Sequence, residues 1–223
     1  MSPDDLTALR VTLELAAVTT ALLLALGLPL AWWLARSTSR AAWVVSSLVA
    51  LPIVLPPTVL GFYLLVLMGP QGAVGAALDA VGLPPLVFSF GGLVLASVLS
   101  SLPFMVQPLR DAFAAIPGRL LDAAATLRAS PLDRFATIVL PLSKRGIATA
   151  CTLAFAHTVG EFGVVLMVGG NIPGSTRVLS IAIYDHAEAL QFGAAHLLSA
   201  LLLAGSFAAL LLVNRGARRA APA

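Results

Sequence analysis

Five apolar runs divide this chain, at about 11–35, 43–68, 87–109, 146–168 and 192–213, and each is nearly free of charge. At 1.5 Å of rise per residue, each is long enough as a helix to cross a hydrocarbon core of about 30 Å. The expected fold class is all-α: a polytopic membrane protein with five spanning helices. Composition agrees, since 59% of the 223 residues are hydrophobic and 10% charged, against roughly 25% charged in a soluble domain. The third run is the least apolar, because Ser97, Ser100, Ser101 and Gln107 interrupt it. The first does not read as a cleaved signal peptide: Asp4 and Asp5 precede it and its apolar stretch is too long.

The basic residues set an orientation. Arg36 and Arg40 follow the first run, and Arg110, Arg119, Arg128, Arg134, Lys144 and Arg145 separate the third from the fourth. Arg215, Arg218 and Arg219 follow the fifth, leaving only Arg10 and Arg177 for the other side. The positive-inside rule then puts residues 1–10 outside, and the 117–143 loop and the basic tail 214–223 in the cytoplasm. Such a bias demands an odd number of spans, and five satisfies it. A net charge of +3 placed this way serves topology and gives no nucleic-acid stripe.

The outer connections are rich in turn residues. Residues 69–86 are Gly- and Pro-rich around a short apolar piece near Val74–Val81, and residues 169–190 open on Gly-Gly-Asn-Ile-Pro-Gly-Ser-Thr. Leu179–Ala189 reads as a short helix at the outer face. No inverted internal repeat is visible, so a pathway built from this chain would need a second copy for its other wall.

On the cytoplasmic side, Asp122–Pro141 reads as a water-exposed amphipathic element. Leu120, Ala123, Ala124 and Leu127 recur at helical spacing. Ser130-Pro131-Leu132-Asp133 then gives a second helix start, with Ser as N-cap, Pro at N1 and an acid at N3. Two short helices joined near Arg128–Ser130 are expected, forming a docking surface.

Few residues could carry chemistry. Pro56 and Pro57 stand together inside the second run, where each removes a backbone donor, and Thr58 beside them offers a hydroxyl. The step is either an irregular point lining a pathway or a packing kink. His157 and Glu161, four apart, share a helix face in the fourth run. They are two metal ligands without a third, a proton relay, or a carboxylate satisfied by backbone; Glu14 admits the last reading too. The single cysteine, Cys151, allows neither an internal disulfide nor a thiolate cluster. With Lys144 the only lysine, there is no Gly-x4-Gly-Lys-Ser/Thr phosphate loop. Gly-x-Ser-x-Gly and His-Glu-x-x-His are absent too. A transport component or an anchor is expected rather than an enzyme.

Asp122-Ala123-Ala124, followed at the right spacing by Ile138-Val139-Leu140-Pro141, resembles the EAA loop of permease subunits of binding-protein-dependent ABC importers. That pattern is Glu-Ala-Ala, a Gly four residues after the second Ala, then Ile-x-Leu-Pro. Here Asp122 replaces Glu, and Arg128 stands where Gly is usual. Glycine after a helix commonly takes positive φ, which costs a side chain roughly 1 kcal/mol. Over most of residues 10–213 the resemblance narrows to the oxyanion branch: molybdate, tungstate and sulfate. It is carried by Leu51–Gly61 (most like molybdate permeases), Ser130–Phe135, Gly160-Glu161-Phe162-Gly163 and Asn171-Ile172-Pro173-Gly174-Ser175-Thr176.

The resemblance implies a type I ABC importer transmembrane domain over 11–213, in a bacterial cytoplasmic (inner) membrane, dimerised with a second copy. A separate cytoplasmic ATPase would dock on the 117–143 loop through Asp122, Ala123, Ala124, Leu127, Arg128, Ser130, Pro131, Ile138, Leu140 and Pro141. ATP and Mg would be used by that ATPase, with no cofactor or metal on this chain. An extracytoplasmic oxyanion-binding protein would dock at 69–86 and 169–190, Asn171, Pro173 and Gly174 included. Pro56, Pro57, Thr58, Gly160 and Glu161 are the implied pathway or gate. A sulfate or tungstate permease, a membrane scaffold and a proton-coupled carrier remain open readings at this point.

Overall fold

The computed structural model describes residues 1–218, and side chains as far as residue 211. In chain order the helices are α1 (Pro3–Arg36), α2 (Arg40–Val54), α3 (Pro57–Met68), α4 (Ala73–Ala80), α5 (Phe90–Ala114) and α6 (Gly118–Thr126). Then come α7 (Pro131–Arg134), a π turn (Phe135–Val139), α8 (Leu140–Gly160), α9 (Gly163–Gly169), α10 (Leu179–Glu188) and α11 (Phe192–Arg218). Among the described residues, five helical stretches are long and apolar enough to cross a membrane. Of the expected tail 214–223, residues 214–218 continue α11 and the remainder lies outside the described residues.

Local chemistry explains where the helices start and stop. α1 begins at Pro3, eight residues before the first apolar run, because Ser2 and Asp5 close a capping box. The Ser2 hydroxyl accepts from the Asp5 N–H at 3.1 Å, and the Asp5 carboxylate from the Ser2 N–H at 2.7 Å. The second run is not one rod. α2 ends at Val54, Leu55 and Pro56 are extended, and Pro57 restarts the chain as N1 of α3. The fourth run is interrupted too, at Glu161–Phe162, between α8 and α9.

Upstream, α7, the π turn and α8 form one continuous helix from Pro131 to Gly160. The wide turn answers Pro141, which has no N–H and whose ring would collide with the carbonyl of Thr137 in a regular α turn. There the Leu140 N–H reaches back five residues to the Phe135 carbonyl.

α1, α5 and α8 make the core. α1 and α5 run parallel, with Leu15 near Leu93 at one end and Trp32 against Phe113 at the other. α8 runs antiparallel to both, and Gly146 lets it approach α5 closely: a Cβ there would lie 2.3 Å from that of Ala112. Outside this core, Trp43, Leu48, Val54, Phe62, Tyr63, Leu203 and Phe207 are exposed, a surface suited to lipid or to another subunit.

Candidate pathway cavity and coupling loop

The two helix breaks meet. A Cβ on Gly163 would stand 2.8 Å from the Pro57 Cβ, so the start of α9 lies directly on the start of α3. Beside this junction is a cavity of about 520 Å³ lined by Pro57, Thr58, His157, Gly160, Glu161 and Gly163, with Ala156 and Phe162. Four of the five expected pathway residues therefore line one space. Pro56 stands one step behind, where its carbonyl accepts from the Val59 and Leu60 N–H groups. Among the described residues no lysine or arginine lines the cavity.

Glu161 is buried and held on two sides. Its carboxylate accepts from the Val164 N–H at 3.2 Å, satisfying a donor at the start of α9. Its carbonyl accepts from the Ser180 hydroxyl at 2.6 Å. The other carboxylate oxygen lies 3.5 Å from His157 Nε2. From His157 a polar chain leads inward: Nδ1 is 2.9 Å from the Ser101 hydroxyl, itself 3.0 Å from that of Thr158. Thr158 in turn donates to the Ala154 carbonyl, and the Phe104 ring stacks on His157 at 4.0 Å. The spacing of His157 and Glu161 foretold their shared face. Ser101, Phe104 and Ser180 come from α5 and α10, which no pattern within the fourth run could bring to Glu161.

Asn171, Pro173 and Gly174 lie together on an exposed loop. The Thr176 hydroxyl, fully buried, donates to the Gly169 carbonyl and accepts from the Ile172 N–H. Asp185 on α10 accepts from the Asn171 amide at 2.8 Å and pairs with Arg177 at 2.9 Å. Gly174 has φ +77°, so glycine relieves strain there.

The 117–143 loop divides into an exposed and a rooted half. α6 has no buried residue, and Leu127 and Leu132 are 83% and 75% exposed. Asp122 and Ala123 face solvent, whereas Leu121 and Ala124 turn inward. α6 ends in a Schellman turn, in which Arg128 N–H bonds the Ala125 carbonyl and Ala129 N–H that of Ala124. Arg128 sits there at φ +60°, the conformation for which the family pattern has glycine. Ser130 caps α7, its hydroxyl accepting from the Asp133 N–H at 3.1 Å. Ile138 and Leu140 are half-buried and Val139 fully buried, so this part of the motif packs at the root of α8.

Residues 27–221 match the family described as "Binding-protein-dependent transport system inner membrane component". The chain belongs to this family. A "Molybdenum transport system permease protein ModB" of Azotobacter vinelandii is 57% identical over 207 residues, covering 93% of this chain and 92% of that protein. One of Escherichia coli (strain K12) is 39% identical over 178 residues, covering 79% and 77%. Among solved structures, a bacterial alginate ABC transporter in complex with its alginate pentasaccharide-bound periplasmic protein superposes with TM-score 0.79 at 18% identity, covering 98% of this chain and 80% of that one. The MetNI methionine ABC transporter gives 0.69 at 19%, covering 98% and 99%. At these identities the likeness speaks for the fold alone.

Proposed function

We propose that the chain is the permease subunit of an ATP-driven molybdate importer, two copies forming the pathway across a bacterial cytoplasmic membrane. The observation that carries this reading is the 57% identity with the Azotobacter vinelandii permease over 93% of the chain. ATP and Mg are used by a separate ATPase, which docks on the face bearing Asp122, Ala123, Leu127 and Leu132. The apolar side chains exposed there support this, since a patch of this kind outside the spans marks a partner site.

By the distribution of Lys and Arg, this loop and the C-terminus lie in the cytoplasm and the N-terminus outside. The loaded binding protein then docks on the opposite face, at the braced loop of Asn171, Pro173 and Gly174. Between these faces the anion passes the cavity at Pro57, Thr58, Gly160 and Glu161. Its lining suits transit: groups such as the Thr58 hydroxyl give transient contacts, and among the described residues no lysine or arginine is there to hold a dianion. The Glu161 carboxylate is engaged by Val164 N–H and serves to fix the helix break.

Uptake of radiolabelled molybdate by a permease-deficient strain carrying this chain with its ATPase and binding protein tests the reading. Uptake restored and resisting excess sulfate is expected. Restoration of sulfate uptake alone would overturn molybdate as the cargo.

A further inference from the structure

We infer that Trp32 and Arg36, at the end of α1, are positioning residues that clamp both roots of the 117–143 loop, so that the loop and α1 move as one body. The inference rests on the reading of this loop as the ATPase dock. Neither residue belongs to the loop or to the cavity, and α1 is remote from the loop in sequence.

The geometry is specific at both roots. The first root is the end of α5. There the Arg36 guanidinium donates through Nη2 to the Phe113 carbonyl at 3.4 Å and the Ile116 carbonyl at 3.3 Å. Ile116 immediately precedes Pro117, the N-cap of α6. A guanidinium is suited to this place, because carbonyls at a helix C-terminus lack intrahelical donors and carry partial negative charge. Among the described residues Arg36 makes no ion pair with a carboxylate, so these carbonyls are its polar partners.

The second root is the start of the long helix. Phe135, first residue of the π turn, meets the Trp32 ring edge-on at 5.5 Å. Trp32 also meets Phe113 at 5.7 Å, and Phe113 meets Phe135 at 6.0 Å. Three rings from α1, α5 and the π turn thus close a triangle in the edge-to-face arrangement that aromatic quadrupoles favour. Arg36 caps it, its Cζ 4.8 Å above the Trp32 ring. Phe113 is fully buried and Ile116 nearly so, so this contact is inside the protein.

One helix end therefore holds the strand of chain entering the loop and the strand leaving it. Within the loop, Arg134 reaches from α7 to the Leu121 carbonyl of α6 at 3.5 Å, which braces the two short helices to each other. Displacement of the docked loop is delivered to α1, α5 and α8 together, and α8 leads to Glu161. Without the clamp, the roots can separate and the motion is dissipated at the membrane face.

The experiment uses the assembled importer in lipid nanodiscs or proteoliposomes, with Trp32→Ala and the milder Arg36→Gln. ATP hydrolysis and molybdate uptake are both measured per complex recovered as a monodisperse peak. The expected result is retained ATPase and retained hydrolysis, with about tenfold more ATP consumed per anion carried. Trp32→Phe and Arg36→Lys, which keep a ring and a cation, restore the wild-type ratio. Hydrolysis and uptake falling in parallel, or an unchanged ratio in both variants, would overturn the clamp while leaving the docking site intact. Asp122→Arg in a chain with Trp32 and Arg36 intact, if it held the ATPase as well as the wild type does, would overturn the docking reading and the clamp with it.

Discussion

The backbone of Gly163 lies directly against Pro57, with room for no side chain between them: a Cβ at position 163 would approach the Pro57 ring to 2.8 Å. The contact joins the break in one spanning segment to the break in another, and it fixes the wall of the cavity. Gly160, one turn earlier, is different, since a Cβ there would meet nothing within 4 Å.

These two glycines therefore separate packing from passage. Gly163→Ala forces the rigid proline ring to move and is expected to cost about 1–3 kcal/mol, the usual range for overpacking. Thermal unfolding in detergent would report it. Gly160→Ala is expected to leave the midpoint unchanged and to lower uptake by narrowing the cavity. Equal midpoints for both variants would refute the assigned contact.

Arg128→Gly removes a side chain from a left-handed position and is expected to stabilise the turn by roughly 1 kcal/mol. ATPase co-purification should be kept or improved. A large loss of transport would show that the arginine makes a contact of its own with the partner.

Charge reversal at Asp122, which is solvent-exposed on α6, is expected to release the ATPase without lowering the thermal midpoint of the permease. Pull-down from detergent-solubilised membranes measures the first and nanoscale fluorimetry the second. ATPase retained at the wild-type level would count against this face as the dock.

His186 gives the fold a pH dependence. Its Nε2 lies 2.9 Å from the Asp5 carboxylate and its Nδ1 2.8 Å from the Gln191 side-chain oxygen. Both ring nitrogens thus face acceptors, which suits the doubly protonated imidazolium. The hydrogen bonds to Asp5 and then Gln191 raise its pKa above the ordinary 6.5, partly opposed by burial and by Arg177. A raised value means that the histidine's contribution, made to an ionised Asp5, is fully present below about 6.5 and fades as pH climbs through the folded-state value. Unfolding midpoints of wild type and His186→Gln should therefore differ at pH 5.5 and converge above the raised value. A gap that widens with rising pH would contradict the sign.

Much of this was legible from local chemistry. Ser130-Pro131-Leu132-Asp133 announces a capped helix, and Ser130 and Asp133 close the box. The same signal, Ser2-Pro3-Asp4-Asp5, starts α1 eight residues before hydropathy alone would place it; a capping box is indifferent to where the lipid begins. Pro56-Pro57 marked the break between α2 and α3 because proline acts on its own backbone. The break at Glu161 was not legible in this way. It depends on Ser180 from α10 and on the Pro57 surface, and nothing in an apolar run encodes a partner so far along the chain. Nor did the motif show that Val139 is fully buried and Ile138 and Leu140 half-buried, since spacing gives register and not burial.

The π turn at Phe135–Val139 has one further consequence. It holds a residue more than an α turn would, and an α-helix advances 100° per residue. The azimuth of Glu161 about the helix axis, measured from Ser130, is therefore set by that single additional residue. Were the same residues wound as a regular α-helix, with no wide turn to absorb the additional one, the docking face and the cavity would stay chemically whole yet stand about 100° out of phase with each other.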